Sequence, residues 1–317
     1  MTLAHFVEMY FVPNFFPMLK LSTQKRYRRT FDNHVLPAFG QQRLCDIGTL
    51  DIQQFVLAKL RTGLGWACAD HYRNLLSKIF AIATKWGYFS GANPASGVQL
   101  PEKTPVREKH VLTPDQATRL LNVLNEPART MVHLALLTGL RIGEILGLPW
   151  ENVGFAVGEI RIAQAYYRGS LGTPKTKTSK RIVPLPSALR GPLLLLKERS
   201  KQSTGLVFQT GNGTPFNDSN LLHRNLKPAG KRLGIPWLNW HSLRRTHATY
   251  FQVVGGSLRD AQAQLGHSKM STTLEVYTIP IAAHQREAVE KISGLMANDG
   301  KFAQNPEGLP LASQQIQ

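Results

Sequence analysis

Apolar residues recur every three or four positions along most of this chain, and the helices they predict set its organisation. Tyr27, Phe31 and Val35 recur every four residues behind a capping Ser22 or Thr23, and Pro37 and Gly40 end that helix. Lys25, Arg28 and Arg29 fall together on another face of it. A second helix follows Thr49 and turns Ile52, Phe55 and Val56 inward. A third runs from about Asp70 to Trp86, where Tyr72, Leu75, Leu76, Ile79, Phe80 and Ala83 make a broad apolar stripe that reads as core. The stretch from Asn93-Pro94 to Pro105 is charged, rich in turn formers and without helical period, so it reads as an interdomain linker.

The second half opens on a clear start signal. Thr113 caps, Pro114 suits the first helical position, and Gln116 completes a capping box. Ala117, Leu120, Leu121 and Leu124 form the buried face of that helix, and another from about Ala128 to Leu146 carries Arg141. The pattern then changes period. Glu159-Ile160-Arg161-Ile162 alternates, Gly169 to Lys180 is rich in Gly, Thr and Lys, and Arg181 to Leu185 alternates again, which predicts a hairpin. Helices resume near Leu189 and continue through His241, Leu258 and Thr273, with a last helix beginning near Ser271 or Thr272. The fold class is mainly α with a small antiparallel β-sheet. The domains are a helical one over residues 1–100, a linker at 101–110, a mixed α/β domain over 111–292 and a polar tail over 293–317.

Charge changes the picture more than composition does. Across 317 residues, 38 Lys and Arg face 20 Asp and Glu, a formal net charge of +18 with a pI near 10.2. Such an excess creates a field whose usual partners are nucleic acid or an anionic membrane surface. No apolar run approaches the length of a bilayer span; Leu193 to Leu196 is the densest and far too short. Glu8 and Pro13 interrupt the aromatic N-terminus and no basic stretch precedes it, so it does not read as a secretory signal. Cys45 and Cys68 are too few for a zinc site or a disulfide framework and read as free thiols in a reducing, cytoplasmic setting. The charge then points to nucleic acid.

Five residues make chemical sense only together: Arg141 in TGLRIGEILGLPW, His241 and Arg244 in HSLRR, His267 in LGHSKMSTT, and Tyr277 in LEVYT. The planar fork of arginine donates to two phosphate oxygens at once, and two forks from separate elements suit the charge of a pentacoordinate transition state. A single arginine in so basic a chain reads as a surface residue. Arg141 differs because it lies in the apolar run LALLTGLRIGEILGL, where Glu144 is its obvious partner. Tyr277 needs a neighbouring base and a cationic site to attack at neutral pH. The hairpin Thr173 to Lys180 supplies lysines able to protonate a departing oxygen, with Lys175 and Lys177 both open for that role.

These boxes resemble those of the tyrosine recombinases, the phage-integrase family. TGLRIGEILGLPW is similar to its first arginine box, HSLRRTHAT to its H-x-x-R box, LGHSKMSTTLEVYT to its closing box and PKTKTSKRIVPL to its β-hairpin, in order over residues 110 to 290. The resemblance implies a helical core-binding domain followed by an integrase-type catalytic domain. It implies a site-specific DNA recombinase in which Tyr277 attacks a phosphodiester, forms a 3′-phosphotyrosyl link and releases a 5′-hydroxyl. Arg141 and Arg244 would clamp the phosphate, Lys175 protonate the leaving oxygen, His241 accept the tyrosine proton, His267 hydrogen-bond the phosphate and Glu144 support the geometry. Lys25, Arg28, Arg29 and Lys177 would contact DNA. Neither metal nor other cofactor is called for. The implied partners are double-stranded DNA with an inverted-repeat core site, three further copies of the chain meeting at a Holliday junction, and an accessory DNA-bending factor. The chain begins almost at the core-binding domain, so no arm-binding module is expected ahead of it. The competing readings are a catalytically silent architectural DNA-binding protein of the same fold and a type IB-like topoisomerase.

Overall fold

Three of the prolines that sit inside helices are each preceded by a widened turn. The structure is a computed structural model that describes residues 1–103, 109–167, 169–172, 180–200, 204–277 and 289–290, with the backbone alone for 275–277. The π-turns Val7–Phe11, Phe31–Val35 and Leu222–Leu226 end two residues before Pro13, Pro37 and Pro228. Proline has no N–H to donate, and its ring crowds the carbonyl four residues back. That carbonyl belongs to Met9, Asn33 or Arg224, each inside a π-turn, where the wider loop makes room for the ring. Pro37 therefore does not end its helix, contrary to the sequence pattern.

The chain divides into two compact units, Met1–Glu108 and Lys109–Gln317. Among its described residues the first is built of helices: α1 (residues 3–18), α2 (residues 21–39), α3 (Thr49–Arg61) and α4 (Trp66–Lys85). Ser22 and Thr23 fall within the first turn of α2 instead of capping it, and Lys20 holds the cap position. The stripe on α4 is core as its spacing predicts, with Leu75, Leu76, Ile79, Phe80 and Ala83 buried against Phe6, Phe11, Phe31, Ile52 and Val56. Ala95 and Val98 are buried in that same core, so the turn-rich stretch after Asn93 begins as part of the first unit. Asn93 fixes it there by donating from its side chain to the Ser77 carbonyl at 2.9 Å.

The second unit begins with α5 (Pro114–Val123), where the Thr113 and Gln116 capping box forms as its residues predict. α6 (Ala128–Thr138) stops short of Arg141, because Gly139 turns left-handed at φ 68°. A Cβ at Gly139 would overlap the His247 ring. The helix expected to run to Leu146 is thus broken, and α7 (Ile142–Leu146) is a separate short helix.

The strands β1 (Val153–Gly154), β2 (Glu159–Ile162) and a later strand (Arg181–Pro184) form an antiparallel sheet in the order first, second, later, with Ile160 opposite Val183. Between them β3 (Ala165–Tyr167) and β4 (Ser170–Gly172) pair as a second ladder, which makes the later strand β5. Helical segments follow among the described residues: α8 (Ser187–Ser200), α9 (residues 218–232), α10 (Trp240–Val253), α11 (Leu258–Leu265) and α12 (Met270–Tyr277). α10 packs on α6, and the core joins Leu120, Met131, Leu134, Ile145, Val183, Phe208 and Leu243. The molecule is mainly helical with a small antiparallel sheet.

Candidate active site

Three arginines meet at the end of one helix. The last carbonyls of α11 have no partner within the helix, and this end of a helix carries partial negative charge. Gly266, left-handed at φ 62°, lets the chain leave α11 sharply and keeps room for the Arg181 guanidinium against its backbone. Arg181 Nε donates to Gln264 O at 2.8 Å, and Arg244 Nη2 to Leu265 O at 2.6 Å. Arg141 reaches Leu265 O through Nη1 and Gly266 O through Nη2, both at 3.3 Å.

Arg141 occupies the break between α6 and α7 with extended backbone. Its N–H donates to Glu144 Oε2 at 3.0 Å, and its Nη1 to Glu144 Oε1 at 2.8 Å. Arg181 binds the same carboxylate from the other side, Nη1 to Oε1 at 3.2 Å and Nη2 to Oε2 at 3.0 Å. The Glu144 side chain is only 2% exposed. Burial alone would raise its carboxyl, but Arg181 and then Arg141 outweigh it and hold the group below the usual carboxylate range. One carboxylate serves two guanidinium groups, with Arg244 close by, so the site keeps an excess of positive charge.

Arg244 is 3% exposed and also donates through Nη1 to Gly139 O. Burial, then the charge of Arg141, push it down to about 9, which leaves it cationic at neutral pH. Its Nη2 lies 2.8 Å from His267 Nε2. A guanidinium has donors only, so His267 Nε2 accepts and the ring proton sits on Nδ1. Nδ1 then donates to Thr273 Oγ1 at 2.9 Å, from within α12. Burial first, and the charges of Arg244, Arg141 and Arg181 after it, push His267 down to about 4, so it is neutral at pH 7. The hydrogen bond to a phosphate that the sequence resemblance implies for His267 meets a ring whose two nitrogens are already engaged.

His241 stands in the first turn of α10, whose start is fixed by the Asn239 side chain accepting from the N–H groups of His241 and Ser242, both at 2.9 Å. The residue is exposed. The protein around its ring, then Arg245, Arg244, Arg141 and Lys109, hold its pKa below the ordinary value, which favours a neutral imidazole able to take up a proton.

The structure thus gathers Arg141, Glu144, Arg244 and His267, sets His241 one turn before Arg244, and ends α12 at Tyr277. α12 starts at Met270, so Thr272 lies within the helix and does not cap it. Lys175, Lys177 and the Tyr277 side chain lie outside the described residues. In the first unit Lys25, Arg28 and Arg29 line one open groove with Phe16, Leu21, Gln24, Asp32 and Asn33. Arg28 is held there by Glu8 at 2.6 and 3.1 Å and by Asp32 at 3.7 Å. Among the described residues no group of His, Cys, Asp and Glu gathers with metal-binding geometry, and no helix is long and apolar enough to cross a membrane. Arg181 and Thr273 join the site without any mark in the sequence pattern. Arg181 opens a strand whose alternation is ordinary, and its place directly after a lysine-rich stretch was the only signal.

Residues 110–284 match the family model for the phage integrase family, more than half of the chain. This chain belongs to the phage integrase family. Residues 2–60 match the N-terminal SAM-like domain of phage integrases. A "Tyrosine recombinase XerC-like" protein of Caldanaerobacter subterraneus subsp. tengcongensis is 27% identical over 311 residues, 88% of this chain and 78% of that relative. The fold is shared with the Tn1549 transposon integrase, solved in complex with transposon right end DNA, at a TM-score of 0.73 and 20% identity over 92% of this chain and 100% of that one. It is shared also with a lambda integrase solved as a tetramer bound to a Holliday junction, at a TM-score of 0.69 and 20% identity over 86% of this chain and 79% of that one. The integrase is a site-specific DNA recombinase, an enzyme that cleaves and rejoins DNA strands by tyrosine chemistry.

Proposed function

We propose that Tyr277 is the nucleophile of this integrase and that it attacks one phosphodiester of a duplex core site. The phenolic oxygen bonds to phosphorus, the bond to the 5′-oxygen breaks, and a 3′-phosphotyrosyl link and a free 5′-hydroxyl result. His241, neutral at pH 7, accepts the phenolic proton. Lys175, from the lysine-rich stretch that precedes Arg181 in the sequence, protonates the departing 5′-oxygen, with Lys177 as the other register. Arg141 and Arg244 hold the non-bridging oxygens, and Glu144 and Arg181 set the angle at which Arg141 is presented.

Guanidinium groups supply the charge stabilisation in this reading, so it calls for no metal ion. The phosphotyrosyl ester conserves the bond energy, so rejoining needs no ATP. Residues 1–100 act as the core-binding domain, 111–292 as the catalytic domain, and four protomers on two inverted-repeat sites exchange strands through a Holliday junction. An accessory DNA-bending factor would assist where the site must be bent. The observation that carries this reading is the convergence of Arg141, Arg244 and His267 at the end of α11, with Thr273 joining that cluster to the helix that ends at Tyr277.

The test is a selection. Nicked, fragmented DNA from the source organism and its mobile elements is incubated with the protein, quenched in detergent, and the protein-linked DNA is sequenced. Adducts clustered on one inverted-repeat site are expected. Adducts scattered without a shared site, with relaxation of any plasmid, would replace recombination by a topoisomerase activity.

A further inference from the structure

The link between Thr273 and His267 does not itself hold the phosphate, yet it joins two parts of the site. Arg244, His267 and Thr273 are 3%, 7% and 0% exposed, so their polar atoms depend on one another in place of water. Arg244 Nη2 donates to His267 Nε2 at 2.8 Å, and His267 Nδ1 lies 2.9 Å from Thr273 Oγ1. The backbone around the ring is fixed as well: His267 N–H donates to Gln262 O at 3.1 Å, and the Gln262 side chain donates to His267 O at 3.1 Å. The imidazole therefore has little freedom to seek other partners.

We propose that Thr273 is a positioning residue that, together with Arg244, holds the His267 proton on Nδ1 and anchors the ring so that Nε2 stays turned toward Arg244, and that it thereby ties the orientation of Arg244 to the seating of the helix that carries Tyr277. The functional half of this inference rests on the strand-transfer reading above. If the proton moves to Nε2, a ring N–H faces a guanidinium N–H, two donors head to head in a buried place. If it stays on Nδ1 without the threonine oxygen, a buried N–H is left without an acceptor. The first sets Arg244 against a donor, and the second leaves the ring held at one nitrogen alone, free to swing away from Arg244. Thr273 is four residues, one helical turn, before Tyr277, so a helix out of place withdraws the acceptor and the arginine loses its support with it. His267 then acts on the phosphate through Arg244, and the site assembles its cation only when the helix of the tyrosine is docked.

The test compares Thr273→Val, which keeps the volume and removes the hydroxyl, with Thr273→Ser, which keeps the hydroxyl. Histidine rings are labelled with 15N, and the His267 signals are assigned by their absence in His267→Asn. The wild type should show one neutral tautomer, protonated at Nδ1, at pH 7. Thr273→Val should show mixed or inverted tautomers, and Thr273→Ser the wild-type pattern. The rate of covalent adduct formation on nicked, fragmented source DNA, read at saturating DNA, should fall about tenfold in Thr273→Val, with the half-saturating DNA concentration within about twofold of wild type. Thr273→Ser should recover most of that rate.

If Thr273→Val does not fold, Thr273→Ala takes the same readouts. An unchanged tautomer with an unchanged rate in the hydroxyl-free variant overturns the proposal, as does failure of serine to recover either readout. A wild type that forms no adduct under any condition would sink the strand-transfer reading, while the tautomer still decides the link between Thr273 and His267.

Discussion

Arg181 lays its guanidinium fork across the carboxylate of Glu144, at 3.2 Å to one oxygen and 3.0 Å to the other, and the consequence falls on Arg141. With Glu144 oriented from behind, Arg141 binds it through one Nη and its own N–H, and its other Nη makes only a 3.3 Å contact to Gly266 O. The Arg141 side chain is 36% exposed against 7% for Arg181. Of these two arginines, one is support and the other is presented outward.

Removing the shared carboxylate should therefore harm both. Glu144→Gln leaves two cations at a buried point without their counter-ion, and should lower unfolding free energy by about 3 kcal/mol in urea titrations. Arg181→Met should cost a similar amount and slow adduct formation, although this side chain is not expected to touch DNA. An Arg181→Met protein with wild-type stability and rate would show that the fork does nothing for Arg141.

Gly139 is a second structural dependency. It is left-handed, it abuts the His247 ring, and its carbonyl accepts from Arg244. Gly139→Ala should destabilise the protein by about 2–4 kcal/mol, read from the urea midpoint, with loss of activity following loss of fold.

Acid should weaken the fold through two histidines. His247 and His267 are both pushed down to about 4, chiefly by burial. The unfolded chain takes up these protons near the ordinary value of 6.5, whereas the folded chain does so only near 4. Between those values the unfolded state binds more protons, so the stability present above pH 6.5 is lost as pH falls. His247→Gln should flatten the slope of unfolding free energy against pH in that window by up to about 1.4 kcal/mol per unit. A wild-type stability independent of pH from 7 to 4 would contradict the burial of both rings.

DNA affinity should be steeply salt-dependent, because a chain of charge +18 binds largely by releasing counterions from phosphates. The groove of the first unit allows a sharper comparison. Arg29→Ala should reduce the slope of log K against log salt by about 1. Arg28→Ala should reduce it less, since Glu8 and Asp32 already hold that cation. Glu8→Gln should release Arg28 and steepen the slope. Equal effects of Arg28→Ala and Arg29→Ala, measured by filter binding over a salt series, would mean that DNA displaces Glu8 freely.

Much of this was legible in the residues. The capping box at Thr113, the stripe of α4 and the ladder of Glu159 to Ile162 with Arg181 to Pro184 formed where local rules put them. The break at Gly139 was not legible, because the apolar run on either side of it has unbroken helical spacing, and what demands a glycine there is the left-handed turn with the His247 ring on α10 and the Leu265 side chain on α11 packed against it. Pro37 misled for a related reason: a stop signal is local, whereas the π-turn that absorbs it is held by core contacts of Phe31 and Val35. Arg181 and Thr273 are ordinary residues in ordinary elements, and their partners lie 37 and 6 positions away, so periodicity could not mark them.

On the proposed mechanism Tyr277 makes the covalent bond to DNA. Protein trapped on nicked DNA in detergent can be digested with nuclease and protease, and the modified peptide sequenced by mass spectrometry. A nucleotide remnant on Tyr277, lost in Tyr277→Phe while DNA binding persists, is the predicted result. A remnant on any other residue, or an adduct that survives Tyr277→Phe, would contradict it.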